Sequence, residues 1–247
     1  MFGQLYNQPL PLALLIILAF QLARYFLVAG SAFLVFWVAF RNAFAAKKID
    51  PNPIKRADIF REIRWSLLTM LIFLIPGALV LHLRREGLSQ LYTDFDSHGG
   101  WSWFLLSLGL MFVVHDLYFY LIHRMMHHPW FYRHFHDVHH RSLNPTPWAA
   151  FSFHPLEALL ESGVIYLFIF LIPLHVAALF IFQLLSLVMN VYGHLGYDLA
   201  PSAWASNPVL KYWNTTRNHH WHHQRFNGNY GLYTTIWDRV LGTYHAR

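Results

Sequence analysis

Residues 101–127 read WSWFLLSLGLMFVVHDLYFYLIHRMMH. The run opens on Trp101 and Trp103, aromatics of the kind that favour a membrane–water boundary, and stays apolar to Ile122. About 20 mostly apolar residues suffice to cross a bilayer as a helix, so this stretch predicts a span that ends in histidines. His123 and His127 are four apart, and on a helix continuing the span both imidazoles face one side. Asp116 stands seven residues before His123, within about 20° of the same face at 3.6 residues per turn. It is the candidate catalytic carboxylate, either as a metal ligand or as the acceptor that fixes a histidine tautomer. His115 points about 80° away and ranks below it.

Outward from that stretch, the apolar runs 10–40, 65–83, 156–172 and 174–191 complete a multi-pass pattern. Pro76 predicts a kink in the second run. Pro173 separates the last two, which form a hairpin that either crosses twice or dips in and returns. Arg24 interrupts the first run; a charge at that level is costly, which points to a partner or a functional role or, the favoured reading, to an arginine that reaches the interface or faces other helices. The fold class expected is all-α integral membrane: four or five transmembrane or re-entrant helices under a helical, histidine-rich di-metal cap. Residues 1–247 read as one domain, with N-terminal spans over 1–100 and the catalytic region over 101–245. Residues 1–9 carry no positive charge and the apolar run after them is too long for a signal core, so no cleavable signal peptide is expected.

Composition agrees. Hydrophobic residues make up 56% of the chain and charged residues 12%, where a soluble domain carries about 25% charged. The formal net charge of +6 would suit a nucleic-acid partner, but the basic residues flank the spans. Arg41, Lys47, Lys48, Lys55, Arg56, Arg61 and Arg64 fill one connection, three more basic residues lie in 123–154, and five lie beyond 194. The expected topology puts all three segments on one face and only Arg84 and Arg85 on the other, an asymmetry that predicts a cytoplasmic histidine face and no nucleic-acid role. With no cysteine, the chain has no disulfide, thiolate haem, iron–sulfur cluster or cysteine nucleophile.

Eighteen histidines are the anomaly. Besides His123 and His127 there are two further clusters, His136-Asp137-Val138-His139-His140 and His219-His220-Trp221-His222-His223. Each sets histidines at i, i+3 and i+4, one helical face, and histidine pairs recurring on one side of a membrane point to metal rather than to a polar surface. His194, at the end of the last span between Gly193 and Gly196, is a candidate ninth ligand, with a satisfied interfacial histidine as the alternative. His128, His134 and His220 fall off the ligand faces. His154-Pro155-Leu156-Glu157 reads as a helix start, with proline and an acidic residue in the first turn. His82, His98, His175 and His245 have no companions. Eight or nine imidazoles exceed what one metal takes and suit two; imidazole alone fits iron, zinc, copper or nickel.

These residues resemble the fatty acid hydroxylase/sterol desaturase superfamily. The likeness covers roughly 110–245: His115-Asp116, Tyr120, His123-Arg124, His127, His136-x-x-His139-His140, Pro145-Thr146-Pro147, His154-Pro155-x-Glu157, His194-x-Gly196-Tyr197-Asp198, His219-x-x-His222-His223, Asn229-Tyr230-Gly231, Trp237-Asp238-Arg239 and Gly242-Thr243. It is closest to the C-5 sterol desaturase-like branch, and the first 100 residues match in character only. The resemblance implies an integral-membrane non-haem di-iron oxidoreductase that uses dioxygen and two external electrons to hydroxylate or desaturate a sterol or fatty-acyl lipid. It implies two iron ions, with zinc a possible substitute, held by His123, His127, His136, His139, His140, His194, His219, His222 and His223. Some members carry a further histidine where this chain has Asp198.

No glycine-rich dinucleotide motif or haem attachment motif is present. Electrons must therefore come from a reductase, ferredoxin or cytochrome docking on the basic face. A bacterial inner membrane or an endoplasmic reticulum would fit. The rival reading is a zinc-dependent membrane hydrolase with the same histidines, its open metal position activating water. A metal transporter would place its ligands at mid-membrane, away from the span ends where these lie.

Overall fold

The computed structural model describes residues 2–246. Met1 and Arg247, the two ends of the 1–247 range, lie outside the described residues. The first span is α1 (Leu10–Phe33), prolonged by a π-helical stretch over Leu34–Ala39. The second comprises α2 (Arg56–Ile72) and α3 (Leu74–Arg85), interrupted at Phe73. The break falls before Pro76, whose ring crowds the carbonyl four residues back and which has no N–H to offer it. This helix starts nine residues earlier than the apolar run alone suggests. Its polar first turns are used in packing: Ser66 donates to the Trp148 carbonyl at 2.9 Å, and Glu62 accepts from Thr146.

The third span, α4 (Gly100–Met126), is the stretch quoted above. Short helices α5 (Pro129–Phe135) and α6 (Asp137–His140) follow, then α7 (Pro155–Ser162), α8 (Val164–Leu171) and α9 (Val176–Gly193). Among the described residues, four helices are long and apolar enough to cross a membrane: Leu10–Ala39, Arg56–Arg85, Gly100–Met126 and Val176–Gly193. The first arm of the hairpin is not one of them, because Gly163 divides it. Tyr118 donates to the Leu160 carbonyl at 2.6 Å, and a Cβ on Gly163 would stand 2.5 Å from that hydroxyl. The arm nevertheless runs the height of the bundle. Its turn carries β2 (Leu174–His175), paired in parallel with β1 (Leu91–Tyr92) in the connection between α3 and α4, so it reaches the end opposite the histidines.

The spans are inverted relative to a soluble protein. Leu15, Leu27, Leu105, Val113 and Leu171 face outward, each at least 61% exposed, while Gln21, Ser66, Thr69, Ser107 and Asn190 are buried between helices. That distribution suits a lipid surround. Toward the strand end, Met111, Phe168, Ile169 and Phe182 pack one core; toward the histidine end, Tyr25, Met70, Phe151 and Leu187 pack another.

The three basic segments meet at the histidine end. Asp198 N donates to the Lys47 carbonyl at 2.8 Å, Arg61 reaches the Arg141 carbonyl at 3.1 Å, and Arg217 pairs with Asp198 at 2.6 Å. Helices α10 (Thr216–Arg225) and α11 (Ile236–Val240) complete the cap.

Candidate metal centre

Each histidine cluster is delivered by a helix end. His123 occupies the last turn of α4 and His127 follows it; His136 caps α6, which carries His139 and His140; His194 follows α9; His219, His222 and His223 lie on α10. Thr215 starts α10 by accepting from Asn218 N, which sets the phase of the three histidines behind it.

The nine side chains sort into two groups. His123, His127, His136, His140 and His222 form one; His139, His194, His219 and His223 form the other. Within each group one nitrogen per residue lies within 4.8 Å of all the others, and only His127 is incompletely buried. The sorting follows helix geometry. The pairs 123/127, 136/140 and 219/223, four apart and about 40° around a helix, each stay together, whereas His139 and His222, three residues after the start of their clusters, serve the opposite group. The single shared face expected from the sequence is thus split, which brings the groups side by side: the rings of His140 and His223 lie 4.7 Å apart.

For His123, His136, His194 and His222, hydrogen bonds on the outer nitrogens decide which nitrogen faces in. Nδ1 of His123 donates to the Tyr230 carbonyl at 2.7 Å, that of His222 to the Gly228 carbonyl at 2.8 Å, and that of His194 to the Asn190 carbonyl at 2.8 Å. His136 Nδ1 meets Glu157 Oε1 at 2.7 Å. With the proton fixed on Nδ1, each Nε2 presents a lone pair inward. Nε2 of His123 and of His136 are buried without a hydrogen-bond partner. In the second group, His194 Nε2 lies 3.1 Å from Nε2 of both His219 and His223 and 3.3 Å from that of His139. Lone pairs cannot satisfy one another at such distances, but one cation can satisfy them all. Metal–nitrogen bonds of about 2.0–2.1 Å at tetrahedral or right angles set neighbouring nitrogens roughly 2.8–3.4 Å apart. The donor set fits a pair of metal ions. Burial, and then the neighbouring histidines, hold His136, His139, His140, His219 and His223 well below the usual imidazole range, and burial takes His194 down to about 4. Neutral imidazole is the ligand form.

Asp116 takes neither part expected of it. Oδ1 accepts from the backbone N–H of Tyr233 and of Thr234, each at 3.1 Å, and Oδ2 accepts from the Thr234 hydroxyl. Seven residues of helix also separate it from His123 by about 10 Å of rise. The carboxylate that meets a clustered histidine is Glu157, which the sequence offered only as a first-turn acid; the signal was its place in His154-Pro155-x-Glu157. His154 does cap α7, accepting from Leu156 N at 3.2 Å. Asp238 has a matching part: it accepts from Tyr230 N, Gly231 N and the Thr243 hydroxyl at 2.7–2.9 Å. The loop 228–234, which lends carbonyls to His123 and His222, is therefore held at both ends by carboxylates. Asp198 turns to Arg217, in neither group.

Below the groups lies a cavity of about 200 Å³. It runs from Leu5, Tyr6 and Leu81 to Phe119, Asn190 and Leu232, and Phe119 contacts His123 with ring centres 5.0 Å apart.

The fatty acid hydroxylase family model matches residues 108–243, which span all nine histidines. The chain belongs to the fatty acid hydroxylase family. Among relatives of this family member, a probable Delta(7)-sterol 5(6)-desaturase of Neurospora crassa is 34% identical, with 97% of this chain and 65% of that protein aligned. A Delta(7)-sterol 5(6)-desaturase of Gibberella zeae is 36% identical over 65% of this chain and 48% of its own length. The lathosterol oxidase of Rattus norvegicus is 32% identical over 76% and 61%. The chain thus spans about half to two thirds of the length of these curated relatives. No solved structure matches it.

Proposed function

We propose that this family member is a membrane-bound oxidoreductase that uses dioxygen and external electrons to hydroxylate or desaturate a lipid held in the cavity, with two iron ions at the nine histidines. The observation that carries this reading is the union of two buried imidazole groups, their inner nitrogens convergent, with an apolar cavity one helical turn away. Metals bound there would supply the activation of oxygen and the removal of hydrogen from an unactivated carbon. Hydroxylation turns C–H, O₂, two electrons and two protons into C–OH and water; desaturation removes two hydrogens and yields two waters.

The chain's own residues hold and shield. Glu157 and the carbonyls of Tyr230, Gly228 and Asn190 keep the proton on the outer nitrogen of four histidines, so that each inner nitrogen stays a donor. Phe119, Phe151, Leu187 and Leu232 line the cavity and exclude water. Electrons arrive from a reductase, ferredoxin or cytochrome, to which exposed Lys47, Lys55, Arg56, Arg141, Arg217 and Arg225 offer a basic face at the histidine end. That end faces the cytoplasm, in an endoplasmic reticulum or a bacterial inner membrane. The sterol class of substrate is supported by the relatives' names.

The test is elemental analysis of detergent-purified protein, with oxygen uptake after chemical reduction in the presence of lipid. About two irons per chain and lipid-dependent uptake are expected. Two zincs that iron does not productively replace, without uptake, would overturn the reading in favour of a zinc hydrolase.

A further inference from the structure

Arg24 and Gln21 stand one turn apart on α1, on the wall of the lipid cavity, although that wall is otherwise largely apolar. They are 8% and 4% exposed. Arg24 Nη1 donates to the Gln183 carbonyl at 2.7 Å; Nε has no partner, and neither has Gln21 Oε1. Two phenyl rings, Phe20 and Phe151, flank the guanidinium at 5.5 and 5.6 Å. Among the described residues no carboxylate pairs with it, and Glu161 on the same cavity wall forms no ion pair. A strap between α1 and α9 would use one of five guanidinium N–H groups and would not need Gln21. A buried cation without an anion, beside a buried amide without a partner, is costly unless a ligand completes them.

We propose that Arg24 and Gln21 are the polar anchor of the cavity, binding a hydroxyl on the lipid that accepts from Arg24 and donates to Gln21 Oε1. The anchor stands outside both histidine groups. Gln183 precedes His194 by eleven residues of continuous helix, about 16 Å of rise. The contacts Arg24–Phe151, Phe151–Phe153 and Phe153–His139, at 5.6, 6.2 and 5.3 Å, keep the separation under about 17 Å. The carbon presented for oxidation therefore lies within about 17 Å of the lipid's polar end, and the anchor positions without touching the chemistry.

This inference rests on the lipid-oxidation reading, and its test reads affinity instead of turnover. Cholestanol against cholestane, and stearic acid against octadecane, are bound to metal-loaded protein in detergent and followed by tryptophan quenching. Cholestanol should bind at least tenfold more tightly than cholestane, and stearic acid, whose carboxylate cannot donate to Gln21 Oε1, should gain less over octadecane. Arg24→Met combined with Gln21→Leu should bring that ratio close to one, with hydrocarbon affinity and bound metal unchanged. Gln21→Leu alone, which removes no hydrogen bond of the free protein, should lower the ratio at least threefold. No preference in the native protein, a preference that survives the double substitution, or an unchanged ratio in Gln21→Leu would each overturn the anchor. A preference without oxygen uptake would support the anchor and overturn lipid oxidation.

Discussion

His136 and Glu157 meet at 2.7 Å, Nδ1 to Oε1, with side chains 2% and 0% exposed. The contact joins α6 to the first turn of α7, where His154 and Pro155 start the helix and so set the height of the carboxylate. A buried carboxylate accepting from a ligating imidazole fixes its ring and raises its basicity. Glu157→Gln keeps an acceptor oxygen and loses the charge, so metal affinity should fall about tenfold; Glu157→Leu loses both and should fall toward a hundredfold. Equilibrium competition with a chelator measures this. Unchanged affinity in Glu157→Leu would show that the loop carbonyls suffice to orient the group.

The division of the histidines predicts which metal each substitution removes. His222→Ala strikes the five-histidine group and His139→Ala the four-histidine group. Each should abolish turnover and leave about one metal per chain instead of two. His175→Ala should leave both metals in place, because His175 caps α9 by accepting from Ala177 N at 3.1 Å, at the opposite end of the bundle. The loss there is two hydrogen bonds, from Ala177 N and to the Thr93 carbonyl, about 1 kcal/mol each. Metal content per chain is the readout, and full metal content in both His139→Ala and His222→Ala would overturn the assignment.

Much of this centre can be read from spacing. Periodicity of three and four picks out eight histidines, and span lengths put their clusters at one end. Spacing cannot say which histidines share a metal, because that depends on how helix ends from α4, α6 and α10 face one another. Asp116 exposes a second limit: a helical wheel reports angle and is blind to rise, so a residue two turns from His123 looks like its neighbour. Glu157 was hidden for the opposite reason. It is 21 residues from His136, and only the packing of α7 against the cap brings the two together. The anchoring carbonyls of Gly228 and Tyr230 carry no side-chain signal at all.

Asp116 should therefore behave as a clamp. Asp116→Asn weakens acceptance from the Tyr233 and Thr234 N–H groups, bonds to a charged partner being worth about 1.5–3 kcal/mol each. The expected outcome is a lower melting temperature, with the folded fraction still holding its full metal complement. Selective loss of metal without loss of stability would return Asp116 to the metal site.

The metal-free protein should lose stability in mild acid. Histidines buried without charge have folded pKa values below the unfolded value of about 6.5. Below that pH the unfolded chain takes up protons that the folded chain refuses, so stability falls with pH, and above it neither state binds protons there. For His194 the loss accumulates between about 6.5 and about 4, where the folded form begins to protonate. Its slope is about 1.4 kcal/mol per pH unit for each such histidine. His136, His139, His140, His219 and His223 act in the same direction and extend the window lower. Bound metal should move the onset to lower pH, because protons must then displace it from the same nitrogens. Thermal melts of metal-free and metal-loaded protein from pH 8 to pH 5 test this. Parallel curves would mean that the clustered nitrogens do not hold the metal.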